Sequence, residues 1–221
     1  MLYIGSTVSE PQKDTLKQLH IPFSVLAAEP ALPMPLGAHP DMLAVTVGNV
    51  TFSAGETAKV LGCTDTGEAF GKAYPKDVLF NGFTLGNRLF CNKKAFSKVV
   101  QAYALACGME IVDVRQGYAK CSTLVLGDKQ IITADRGIAK AAEPFCEVLC
   151  IREGGISLAP YAYGFIGGAS FILENTVYFF GNIDTHTDAA SIRACIEKNG
   201  YRAVSLSDEP LCDCGGAIIK E

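Results

Sequence analysis

The sequence predicts an α/β ring, a five-fold pseudo-symmetric β/α-propeller of strand-hairpin plus helix units closed by pairing of the N- and C-terminal segments. Three observations predict it. Turn signals recur at Gly48-Asn49, Gly86-Asn87, Gly127-Asp128 and Glu174-Asn175, at spacings of 38, 41 and 47 residues, inside the roughly 20–50-residue range of repeat architectures. Each turn separates two short runs of strand-forming residues, and most are followed by a helical pattern and a further strand. The two chain ends are incomplete units that complete each other.

The N-terminus offers a strand at 2–4, a helix near 11–19 and a strand at 23–27, with no hairpin partner in front. Residues 42–47 and 50–53 flank Gly48-Asn49 as a partial copy. The fullest copy spans 77–115: strand 78–85, turn, and return strand 88–91. Apolar positions Phe96, Val99, Val100, Tyr103 and Ala106 then fall at helical spacing over 94–106. Gly108 stops that helix and a strand follows at 109–114. The next copy has strands at 121–126 and 130–133, a helix at 137–142 capped by Asp135, and a strand at 147–151. The last has strands at 169–173 and 177–180, a helix at 188–198 capped by Asp184 or Thr187, and a strand at 202–206. Residues 214–219 read as a first strand without a return, which the N-terminal strand supplies. A ring closed in this way leaves no exposed sheet edge. A doubly wound parallel sheet is the rival, disfavoured because hairpins alternate with helices. The chain reads as one domain over 1–221.

Composition sets outer limits. With 221 residues, 49% hydrophobic and 19% charged, the chain can bury a full core and is not a disordered polymer. A net charge of −4 with no basic cluster points away from nucleic acid as a partner. No apolar window reaches bilayer length, and the N-terminal MLYIGSTVSEPQKD lacks the pattern of a signal peptide. The expectation is a soluble cytoplasmic protein without a membrane partner, its nine cysteines free thiols. No cofactor motif is present.

Three phrases, GYAKCSTLVLGDKQIITADRGIAKAA (117–142), YAYGFIGGAS (161–170) and FFGNIDTHTD (179–188), resemble a bacterial family of unknown activity assigned to the pentein superfamily, the β/α-propeller of guanidino-group-modifying enzymes. The resemblance covers essentially the whole chain and implies a central polar pocket. For function it implies two alternatives. Pentein hydrolases and transferases attack a guanidinium carbon with a Cys nucleophile, a His and acidic residues; other penteins are non-catalytic and bind macromolecules. The hydrolases' phrase of two glycines, a short spacer and a Cys corresponds here to Gly215-Gly216-Ala217-Ile218-Ile219-Lys220, with Lys220 at about the Cys place. Their Gly-His-Val-Asp phrase corresponds to Gly181-Asn182-Ile183-Asp184, with Asn182 in the His place and Asp184 retained.

Equivalent first strands of a ring converge on its axis. Aligning the repeats places Asp41, Asn81, Cys121, Ser170 and Cys214 around one mouth, in a register that a slip of one residue reverses. Cys121 is the candidate nucleophile. Lys120 beside it favours a thiolate, although neighbours in a strand point to opposite faces; the alternative is a buried structural Cys. His39 and Asp41, flanking Pro40, are a candidate acid/base pair or simply a rigid strand start. His186 is the other candidate acid/base. Asp184, His186 and Asp188 alternate like metal ligands, but helix capping explains them better, and Cys212 and Cys214 have no second ligand pair; no metal is expected. The glycine-rich 163–168 precedes a strand, unlike a phosphate loop, so it reads as a tight corner, with Tyr161 and Tyr163 as ligand-contacting aromatics. Asp135 is a helix cap or a pocket carboxylate suited to a guanidinium. The functional expectation is a pocket for a small guanidino or amino-acid-like ligand, with Cys121, His39, Asp41 and His186 catalytic and Asn81, Lys120, Asp135, Tyr163, Ser170, Asp184 and Cys214 binding. The alternative is a macromolecular binding module.

Overall fold

The computed structural model describes residues 1–220. Its strands pair as five three-stranded sheets of one pattern: an antiparallel hairpin, then a third strand parallel to the second on its far side. The closing unit comes first in the chain, as β1 (Leu2–Gly5), α1 (Glu10–Gln18) and β2 (Phe23–Leu26). A short helix α2 (Pro40–Leu43) leads into β3 (Val45–Val47), β4 (Val50–Ser53), α3 (Gly55–Leu61) and β5 (Thr64–Asp65). The next unit is β6 (Phe83–Leu85), β7 (Arg88–Cys91), α4 (Lys98–Ala106) and β8 (Glu110–Asp113). It is followed by β9 (Thr123–Leu126), β10 (Gln130–Thr133), α5 (Arg136–Ala142) and β11 (Glu147–Cys150). The last full unit is β12 (Ser170–Leu173), β13 (Thr176–Phe179), α6 (Ala189–Lys198) and β14 (Arg202–Ser205), after which β15 (Ala217–Ile219) returns to the beginning.

The ring closes as the sequence predicts. β15 runs antiparallel to β1 with Leu2 opposite Ile219 and Ile4 opposite Ala217. The five first strands, β3, β6, β9, β12 and β15, all contribute to the wall of one axial channel of about 380 Å³. Each helix lays a narrow apolar stripe on its own sheet, as with Ile192 and Ile196 of α6 or Val100 and Ala104 of α4, all fully buried. These i, i+4 pairs are the face that helical spacing presents to a sheet. No helix among the described residues is long and apolar enough to cross a membrane.

Two local expectations need correction. The first strands start later than the apolar runs suggest, because the residues before them bend to satisfy their polar groups. Pro40 opens a helical turn, Asn81 N–H donates to Val78 O at 3.2 Å, and Ser122 N–H donates to Tyr118 O at 3.0 Å. The cap of α6 is Asp188, not Asp184 or Thr187. The hairpins take positive φ at their first turn residue only, 58° at Gly48, 53° at Gly86 and 53° at Glu174. A side chain is strained in that region, and glycine is not. Glu174→Gly is therefore expected to raise stability by about 1 kcal/mol, read as a higher urea midpoint; a lower midpoint contradicts it.

Candidate active site

The turns ahead of the first strands meet at one end of the channel and carry a buried polar cluster. Asn81, fully buried, is its hub. Its Nδ2 donates to Asp41 O at 3.1 Å and to Cys121 Sγ at 2.9 Å. Its Oδ1 accepts from Lys120 N at 2.8 Å and Cys121 N at 3.2 Å. One amide thus pins two neighbouring turns and fixes Cys121. Asp213 enters from the segment before β15. Its Oδ2 accepts from Phe165 N at 2.9 Å, its Oδ1 accepts from Gly215 N at 3.0 Å, and Oδ1 lies 3.5 Å from His39 Nδ1.

Glycines make room for this carboxylate. A Cβ on Gly168 would stand 2.1 Å from Asp213 Oδ1, and one on Gly164 would stand 2.4 Å from Asp213 Cβ. The glycine-rich corner is therefore a cradle for Asp213, which agrees with its reading as a corner and not as a phosphate loop.

Outward from the cluster lies a cavity of about 230 Å³. His39, Cys121 and Asp213 line it together with Tyr118, Phe165 and residues of the 158–163 loop. Tyr118 stacks on Phe165 at 6.4 Å between ring centroids, and Tyr163 meets Phe165 edge-on at 6.1 Å. Tyr118 Oη donates to buried Asp77 Oδ2 at 2.8 Å. The walls are aromatic and the floor is ionisable.

The floor has unspent hydrogen-bonding capacity. Both ring nitrogens of His39 are buried without a hydrogen-bond partner, although the great majority of buried polar atoms have one; on the channel side, both carboxylate oxygens of Asp41 are likewise unpartnered. Burial, opposed by His39 and reinforced by Asp41, raises Asp213 from 3.8 to about 6. Burial, then the carboxylates of Asp41 and Asp213, push the Cys121 thiol well above its ordinary value, with the Asn81 donor acting the other way. Lys120 is not among the groups that shift it; that side chain lines the axial channel instead. The expected activation of Cys121 by its neighbour is thus replaced by an acidic setting that keeps the thiol protonated. At pH 7, iodoacetamide is accordingly expected to label exposed Cys107 and Cys150 well before Cys121, as read by peptide mass spectrometry. Early labelling of Cys121 would contradict the buried acidic site.

The remaining expected site residues lie elsewhere or are engaged structurally. Ser170 Oγ donates to Ile166 O at 2.7 Å. Cys214 packs against Cys212, 3.2 Å between sulfurs, and the residue that reaches the floor is its neighbour Asp213. Asp135 caps α5 through Ile138 N and receives Gln116 Nε2 on its other oxygen, at 2.8 and 2.9 Å. His186 Nδ1 accepts from Asp188 N at 3.0 Å, and the ring is not part of the cavity lining. Asp184 is exposed in an ion pair with Arg193, 2.7 Å. Asn182 closes a local turn onto Asp184 N at 2.9 Å. Lys220 donates to Gly62 O at 2.8 Å and to Leu61 O, capping the end of α3. Among the described residues no three His, Cys, Asp or Glu side chains converge as metal ligands.

The family model described as "Family of unknown function (DUF6873)" matches residues 3–218. The chain belongs to the DUF6873 family. No curated protein sequence matches this DUF6873 chain. Solved structures do. One is a Cys-to-Ser mutant of DDAH from Pseudomonas aeruginosa complexed with citrulline, at TM-score 0.57 and 11% identity, covering 94% of this chain and 91% of that one. Another is a His-to-Gly dimethylarginine dimethylaminohydrolase in an adduct with S-methyl-L-thiocitrulline, at TM-score 0.57 and 13% identity, covering 92% and 82%. The DUF6873 chain thus has the pentein propeller fold.

Proposed function

We propose that the protein is a cytoplasmic hydrolase-type enzyme that binds a small guanidino or amino-acid-like ligand in the cavity above His39, Cys121 and Asp213. One observation carries this reading: both ring nitrogens of His39 are buried without a hydrogen-bond partner, in the same cavity floor as a carboxylate and a thiol. Each such atom costs about 1–3 kcal/mol if it stays unpaired. A guanidinium, with five N–H donors in a planar fork, can donate to the acceptor nitrogen of His39 and to the Asp213 carboxylate. The aromatic walls suit the flat cation, and about 230 Å³ suits a small ligand.

The chemistry follows from charge. A cation seated on Asp213 offsets part of the field that keeps Cys121 protonated, so substrate binding itself favours the thiolate. His39 takes the thiol proton. The thiolate adds to the guanidinium carbon, and His39 returns the proton to the departing amine. Water then cleaves the thioether-like intermediate, giving a ureido product and free thiol. The structural neighbours support this direction, since their ligands are citrulline and S-methyl-L-thiocitrulline.

The test is incubation with L-arginine and dimethylarginine, with ureido product measured by mass spectrometry. Turnover is expected, and Cys121→Ser should lower it by about 10³-fold or more. A non-catalytic binding module is the second reading. It is favoured by the protonated Cys121 and by Lys220, which serves the fold where the related hydrolases carry a Cys. Binding without turnover selects it; no binding of either probe overturns the pocket reading.

A further inference from the structure

Cys212 and Cys214 flank Asp213, and their side chains turn toward each other on the face away from the cavity. Their sulfurs are 3.2 Å apart. Cys214 is fully buried against Leu2, Ile4 and Phe180, whereas Cys212 is only partly buried and receives Gln12 Nε2 at 3.8 Å. We infer that Cys212 and Cys214 are a redox-active dithiol that exchanges with small-molecule disulfides and, when oxidised, displaces Asp213 from the floor of the pocket. The dithiol stands on its own geometry; its effect on ligand binding rests on the pocket reading above.

The two sulfurs divide the labour of thiol–disulfide exchange. Cys212 is the less buried of the two. Its contact with Cys214 lowers the Cys212 thiol, while the same contact and burial raise Cys214, so Cys212 is the attacking thiolate. It adds to one sulfur of a small disulfide and releases one thiolate. Cys214 gives up its proton and attacks Cys212 Sγ, releasing the second. Two protein thiols have become one disulfide, and one small disulfide has become two thiols.

The new bond must shorten the separation from 3.2 Å to about 2.05 Å. The backbone does not yield freely. Cys212 N–H donates to Phe180 O at 2.8 Å, Asp213 N–H to Ser157 O at 2.9 Å, and Cys214 N–H to Gly168 O at 3.1 Å. Contraction therefore falls on the residue between. Asp213 has no slack, because Gly168 leaves its Oδ1 no more than the space of a missing methyl. A strained disulfide of this kind is also easily reduced again.

Full-length protein is titrated with glutathione disulfide, alkylated, and mapped by mass spectrometry. The expected product is a Cys212–Cys214 disulfide, with mixed disulfides confined to exposed thiols such as Cys107 and Cys150. In Cys214→Ser the glutathione should stay trapped on Cys212. A wild-type dithiol that remains reduced, or that stops at a mixed disulfide, overturns the inference without recourse to any variant. The His39 imidazole NMR resonance reads the coupling to the pocket: it should shift on oxidation in wild type and not in Cys212→Ser. An unmoved resonance overturns the displacement of Asp213. Affinity for L-arginine should fall about tenfold on oxidation. If arginine fails to bind the reduced protein, the pocket reading fails while the mapped disulfide still stands.

Discussion

Asp213→Asn is expected to flatten the pH dependence of stability between about pH 4 and 6 and to weaken binding of a guanidinium probe by roughly 10- to 100-fold. The first effect follows from linkage. Asp213 is held at about 6 in the folded chain against 3.8 unfolded, so its protonated form favours folding. That contribution is complete below about pH 3.8 and is lost as the pH rises through 6, because the unfolded chain gives up the proton first. At about 1.36 kcal/mol per unit, the loss is on the order of 3 kcal/mol, spread over those two pH units. An amide at this position cannot titrate. It also keeps one acceptor where Phe165 N–H and Gly215 N–H both need one, so the variant should be less stable than wild type at pH 4 and nearly level with it at pH 8. Thermal melts across pH 4–8 check this. A slope that persists unchanged in the variant would assign the titration to another group. The binding effect is separate. It requires Asp213 to meet the cation, and calorimetry with guanidinium-bearing probes reads it directly.

Asp213 also shows where sequence reading reaches and where it stops. The ring was legible because its signals are local and repeated: β4, β7 and β10 fall on the residues that turn spacing and strand alternation mark. Closure was legible because the two ends lack complementary parts. The cavity was half legible. Aligning the repeats put Asp41, Asn81 and Cys121 together, and Asn81 does bond to both of the others. In the last unit the same alignment pointed to Cys214, while Asp213 faces the floor. Side-chain direction there is set by Gly215 and Gly216, which both take positive φ, 77° and 61°, and rotate the chain just before β15. Apolar alternation carries no trace of such a rotation. Tyr118 and Asp77 were missed for a different reason. Each is unremarkable alone, and only the approach of two turns far apart in the chain makes their 2.8 Å hydrogen bond. His186 illustrates the opposite error. Its alternation with Asp184 and Asp188 marks it in the sequence, but its ring serves the turn before α6.

Gly215→Ala is expected to cost about 2–5 kcal/mol of stability and to disturb His39 more than any other pocket residue. Two independent terms add. Gly215 sits at φ 77°, where a side chain costs roughly 1–2 kcal/mol. Its missing Cβ would also stand 2.3 Å from His39 Cβ and 2.4 Å from His39 Cα. Those are not the ends of a flexible side chain. They can move only with the turn that carries His39, whose neighbour Asp41 is tied back by its N–H to Gly215 O at 3.0 Å. Overpacking against such a fixed group adds about 1–3 kcal/mol. Gly48→Ala separates the terms, because Gly48 has nearly the same φ, 58°, and nothing within 4 Å of a built Cβ. It should lose only the strain. Urea unfolding of the two variants gives the difference, which measures how tightly Gly215 packs on His39. Equal losses would mean that the close approach is relieved by small shifts and that the glycine pair is kept for backbone rotation alone. A loss at Gly215 larger by 1 kcal/mol or more, with a displaced His39 resonance, would show that the glycine pair holds the imidazole against Asp213.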